Sequence, residues 1–176
     1  MRLVALLLWA CARSGYTAGD IASLYCRANS MTGEWMPAET GTHQDHVIAH
    51  VVGASVLGYF EADDALHLSL DIGFIWTIFP DAEMGLVPES LALKELNVGD
   101  AQRARLADDL RRLHDTGAAG ETFARVTPAP EGCLIEEVRL FERDEMRRLE
   151  IHGETAALFV EASTLTGEMS VGQLQA

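Results

Sequence analysis

At 176 residues, 48% of them hydrophobic, the chain has the length and apolar content of one globular domain with a single core. Its 27 acidic residues against 13 basic ones give a net charge of −14, a field that repels phosphates and argues against nucleic acid as a partner. No run approaches the ~20 apolar residues a membrane helix needs, and the odd set Cys11, Cys26 and Cys133, without a CxxC pair, argues against a disulfide framework or a cysteine zinc cage and for a reducing cytoplasm.

The opening "MRLVALLLWACA" has the arginine, apolar run and A-x-A ending of a signal peptide, but the run is short. Leu3, Leu6, Leu7, Ala10 and Cys11 instead fall at the spacing of an amphipathic helix that stops at Gly15. "TAGD" at 17–20 caps a second helix on Ile21, Leu24, Tyr25 and Ala28, so residues 1–42 read as a helical hairpin and a loop. A DNA-binding helix-turn-helix is disfavoured, because Arg27 stands where that motif wants an apolar residue.

A third helix is expected over 43–58, capped by the Thr42 and Asp45 pair. Successive residues turn ~100°, which puts Val47, Ile48, Val51, Val52, Ser55 and Tyr59 on one side and His43, His46 and His50 on the other. His46 and His50, four apart, could share a metal ion. His43 lies about two turns from His50, and the other candidates, Glu39, Glu61, Asp63 and Asp64, are fixed by no motif. HExxH, a Walker loop, GxGxxG and GxSxG are absent from the sequence. The histidines therefore read as solvated, with no metal or cofactor expected; if a metal did bind, His46 and His50 would be its ligands in a metal-dependent enzyme.

In "ALHLSLDIGFIWTIF" every even position from Leu66 to Ile78 is apolar, the period of a strand, or of two strands broken near Gly73. His67, Ser69 and Asp71 fall on the other face, expected to be solvated. "PDAE" turns the chain and "MGLVPES" returns as a strand. "VGDAQRARLADDLRRLHDTG" reads as a helix over 98–117 with a seam of Leu106, Leu110 and Leu113. "TFARVTP" and "GCLIEEVRL" read as a hairpin about "APE". The tail "MRRLEIHGETAALFVEAS" reads either as further strand or as a helix started by Asp144, and is taken as the helix, with Met146, Leu149, Gly153, Ala156 and Val160 on one face.

The resulting α+β order from residue 43 is helix, two or three strands, helix, two strands, helix, with an antiparallel sheet. Through "LHLSLDIGFIWTIFPD", "MGLVPESLALKEL", "VGDAQRARLADDLRRLHDTGAAGETFARV", "EGCLIEEVRLFERDEM" and "ETAALFVEAS" it resembles the type III secretion effector chaperones of the CesT (Tir chaperone) group, over roughly residues 44 to 165. YbjN-like proteins are the alternative users of such a fold. The resemblance implies a non-enzymatic cytoplasmic homodimer that keeps the N-terminal segment of a secreted effector unfolded. Val47, Val51, Leu66, Leu68 and Leu70 are the expected client contacts, and the Leu106, Leu110 and Leu113 seam the expected dimer contact.

Overall fold

The computed structural model describes residues 33–81, 84–89, 93, 96–117 and 122–174. The expected N-terminal helical hairpin lies outside them. Residues Pro37–Ala176 form one unit and Met1–Met36 another.

Among the described residues two helices and ten strands follow in the order β1 (Met36–Pro37), α1 (Thr42–Val51), β2 (Val56–Ala62), β3 (Ala65–Leu70), β4 (Ile75–Phe79), β5 (Gly85–Glu89), α2 (Asp100–Thr116), β6 (Thr127–Pro128), β7 (Ile135–Arg143), β8 (Met146–Gly153), β9 (Ala157–Ser163) and β10 (Met169–Leu174). They make two antiparallel sheets, the first ordered β5-β4-β3-β2-β6 and the second β1-β7-β8-β9-β10. The α+β class stands, with two sheets where one was expected.

The apolar alternation of 65–79 does become a hairpin of two strands, Leu66 opposite Ile78 and Leu68 opposite Trp76. Asp63 and Asp64, both at positive φ, supply the tight turn between β2 and β3, short polar side chains being those that tolerate the left-handed region. Leu66, Leu68, Leu70, Trp76, Ile78 and Leu86 point to one side and meet Leu140, Leu149, Ile151, Leu158, Val160 and Ala162 of the second sheet, with Val47 and Val51 of α1 completing that core. On the other side of the first sheet, Leu106 and Leu113 of α2 pack with Phe60, Leu96 and Val126.

Four expectations change. The helix α1 ends at Val51 and does not run to 58: Gly53 takes a left-handed φ of 89°, and Ser55 and Tyr59 fall in the following loop and strand. The Ser55 N–H then donates to Asp71 Oδ1 (2.8 Å) and the Asp71 N–H to Ser55 O (3.0 Å), latching the end of β3 to the start of β2.

Second, no hairpin joins 122–128 to 132–140. Thr127 and Pro128 pair with Tyr59 and Gly58, while β7 pairs with β8.

Third, the tail helix is replaced by β8 and β9. Asp144 sits at φ 50° as a turn residue and caps nothing, and the period-two sets Leu149/Ile151 and Leu158/Val160/Ala162 are the ones buried. Gly153 admits no side chain there, since a Cβ would meet Leu134 O at 2.7 Å and Ala156 O at 2.8 Å.

Fourth, His67 and Ser69 are not solvated. Phe60, which packs with Leu106 and Leu113 of α2, stacks on His67, and β3 is buried throughout, with His67 2% and Ser69 7% exposed.

Candidate functional site

His43, His46 and His50 are exposed on α1, facing away from Val47 and Val51. The rings of His46 and His50 lie 4.5 Å apart between centroids, the separation expected one helical turn on. Among the described residues no group of three or more His, Cys, Asp or Glu side chains converges as a metal site. Asp63, one of the acidic candidates, is engaged elsewhere, accepting the Asn97 N–H at 2.7 Å.

The expected client contacts are core. Val47 and Val51 are 1% and 2% exposed and Leu66, Leu68 and Leu70 are wholly buried between the sheets, and of the five only Val51 and Leu70 also line a cavity, the one described next. The leucine seam behaves similarly: Leu106 and Leu113 are buried and Leu110 half-buried, all in the cluster that α2 makes with its own sheet.

Large apolar side chains are exposed singly at Met36, Val52 and Leu165, and as a pair just beyond Leu70. Ile72 and Phe74, 50% and 47% exposed, flank Gly73 at the tip of the β3–β4 hairpin, where φ of 81° demands a residue without a Cβ clash. With His50, Val51, Leu70, Ile75 and Trp76 they line a cavity of about 160 Å³. A cavity near that size holds a single ring or branched side chain and, when apolar, stays dry. Trp76 is fully buried, and its Nε1 is the one buried side-chain nitrogen or oxygen among the described residues without a hydrogen-bond partner. The alternation places Ile72 and Phe74 on the same apolar face as Leu66 to Leu70, with a break allowed near Gly73, and does not by itself tell buried from exposed. The signal that separates them was present in "DIG", a turn tripeptide that lifts its neighbours off the strand.

His67 is the buried ionisable group nearest to chemistry. Its Nδ1 lies 2.9 Å from Thr77 Oγ1 and its Nε2 3.1 Å from Ala62 O, and its ring stacks on Phe60 at 4.8 Å. Since a carbonyl can only accept, Nε2 carries the proton and Nδ1 accepts from the threonine hydroxyl. Burial lowers its pKa below 6.5, against a smaller opposite pull from the Ala62 carbonyl and the Asp63 charge. Both nitrogens are thus committed to holding β2, β3 and β4 together. Burial also pushes the Cys133 thiol up to about 11.

No family model, curated protein or solved structure matches the chain. Among the described residues no helix is long and apolar enough to cross a membrane.

Proposed function

We propose that the protein is a non-enzymatic cytoplasmic chaperone that holds the N-terminal segment of a secreted effector extended and unfolded, as the resemblance to the type III effector chaperones implies. The observation that carries the reading is the Ile72 and Phe74 tip over its apolar cavity. Two large apolar side chains left half in water beside a cavity for one more form an anchor for a side chain of an unfolded segment. The −14 charge draws basic client segments toward that anchor and keeps the complex in solution. The contacts in this reading are Ile72, Phe74 and His50 at the rim, with Val51 and Leu70 in the cavity wall, while Val47, Leu66 and Leu68 are core.

The test is co-expression with the products of adjacent open reading frames, capture, and limited proteolysis of the captured client. Protection of the client's N-terminal segment, lost in Ile72→Asp and Phe74→Asp variants that keep the fold, is the expected result. A client that is captured folded, or that binds the two variants as well as the parent chain, sinks the reading.

A second reading rests on the 4.5 Å approach of His46 to His50, with His50 also lining the cavity: a metal-dependent enzyme. Elemental analysis finding about one zinc, iron or manganese per chain, lost in a His46→Ala, His50→Ala double variant, would replace the chaperone with the enzyme.

A further inference from the structure

Among the described residues the two sheets have four edge strands, and three of them are blunted. The edges β1, β5 and β6 carry Pro37, Pro88 and Pro128, and β1 and β6 are two residues long. Proline at an edge removes a donor and blocks the addition of a further strand. The fourth edge, β10, is six residues of "MSVGQL", with no proline and no charged residue in a chain that is 23% charged. We infer that β10 is an interface for a second copy of this chain, the two strands pairing antiparallel about a two-fold axis through Val171. The inference does not rest on the chaperone reading.

The hydrogen-bond pattern defines the register. The Ser163 N–H donates to Glu168 O across the β9–β10 pair, and the Thr164 N–H donates to Glu145 O on the β8 side. Bonding alternates along an antiparallel ladder, so Ser170, Gly172 and Leu174 face β9 with their backbone groups, and Met169, Val171 and Gln173 turn theirs outward. A second β10 centred on Val171 puts Val171 opposite Val171 of the other copy and Met169 opposite its Gln173. Every outward N–H then meets an outward C=O.

Side chains and charge agree with that pairing. Met169 and Val171 pack on the core between the sheets yet are only partly buried, and the two-fold sets the valines side by side over its open margin. Two copies of a −14 chain repel, but this strand brings no charges together. The nearest acid, Glu168, falls at opposite ends of the paired strands, roughly 20 Å from its counterpart at ~3.4 Å per residue. That is beyond the screening length of ~8 Å.

The test is light scattering on the full chain with hydrogen exchange read residue by residue. At about 100 µM the mass is twice 19.2 kDa, and the amides of Met169, Val171 and Gln173 exchange at least roughly tenfold more slowly than at about 1 µM. Val171→Pro removes an outward N–H that β9 does not use, and it returns the mass to a single chain with an unchanged circular dichroism spectrum. Val171→Thr keeps the dimer. A single-chain mass at about 100 µM overturns the inference. So does a dimer whose outward amides exchange freely, and so does protection of those amides that appears only when a client polypeptide is added. If Val171→Pro does not fold, the exchange pattern of the parent chain decides.

Discussion

Leu113 of α2 lies directly over Gly58 of β2: a Cβ on Gly58 would stand 2.8 Å from Leu113 Cδ2 and 2.8 Å from the backbone oxygen of Thr127. One missing side chain thus lets both a helix and a neighbouring strand close on the first sheet. Gly58→Ala is expected to destabilise by about 1–3 kcal/mol through overpacking. In a Leu113→Ala background, itself costing about 2–5 kcal/mol, the penalty falls but persists, because the Thr127 oxygen is backbone and cannot swing away. Urea denaturation of the two single variants and the double variant checks this, and a neutral Gly58→Ala would refute it.

Stability should fall in mild acid through His67. Its folded pKa lies below the ordinary 6.5, so between the two values the unfolded chain binds the extra proton. The stability is undiminished above 6.5 and is lost as pH falls from there through the lowered folded value. The gap between the parent chain and His67→Gln therefore shrinks as pH drops from about 7.5 to about 5. A gap that does not change with pH contradicts the assignment.

Cys133 should be inert in the folded chain. It is 2% exposed, and with a pKa of about 11 almost no thiolate is present at neutral pH. In a background lacking Cys11 and Cys26, alkylation at about pH 8 should run at least roughly a hundredfold slower folded than unfolded. Rapid labelling of the native chain would show that the strand start at Ile135 opens readily.

The latch between Asp71 and Ser55 holds the hairpin tip in place. Asp71→Ala should cost about 1 kcal/mol and speed exchange of the Ser55 amide. Asp71→Asn, which keeps the oxygen acceptor, should cost clearly less. Equal losses in both variants would assign the effect to charge and not to this bond.

What could be seen in advance follows sequence distance. The seam of Leu106, Leu110 and Leu113 marks α2 because a helix satisfies its own backbone, and the alternation from Leu66 marks β3 because one face is uniformly apolar. The tail was illegible: Leu149 and Val160 fit both periods, and Arg147, Arg148 and Glu150 resemble the polar face of a helix. The pairing of Leu149 with Leu140 and with Val160 decides the matter, and partners in other strands leave no local signature. His67 was misplaced for a related reason. Its surroundings are Phe60 and Ala62 of β2 and Thr77 of β4, partners on neighbouring strands that alternation alone does not reveal. Of the candidate site, His46 and His50 were visible as a spaced pair, whereas the exposure of Ile72 and Phe74 depends on where the hairpin turns.

Most strands in both sheets pair with the strand next in sequence, and the return of Thr127 and Pro128 to Gly58 and Tyr59 is an exception. Between those two partners lie three strands and the 17-residue helix α2. Closing so long a loop costs entropy before the two-residue strand returns anything, so this step belongs late in assembly. The meander of β7–β10 needs only short closures and can form while the first sheet is still open. The folding rate should therefore be governed by the capture of α2 beneath its sheet, on a scale on the order of milliseconds to seconds. Gly58 then acts on kinetics as well as on packing, because it is where that capture either succeeds or fails.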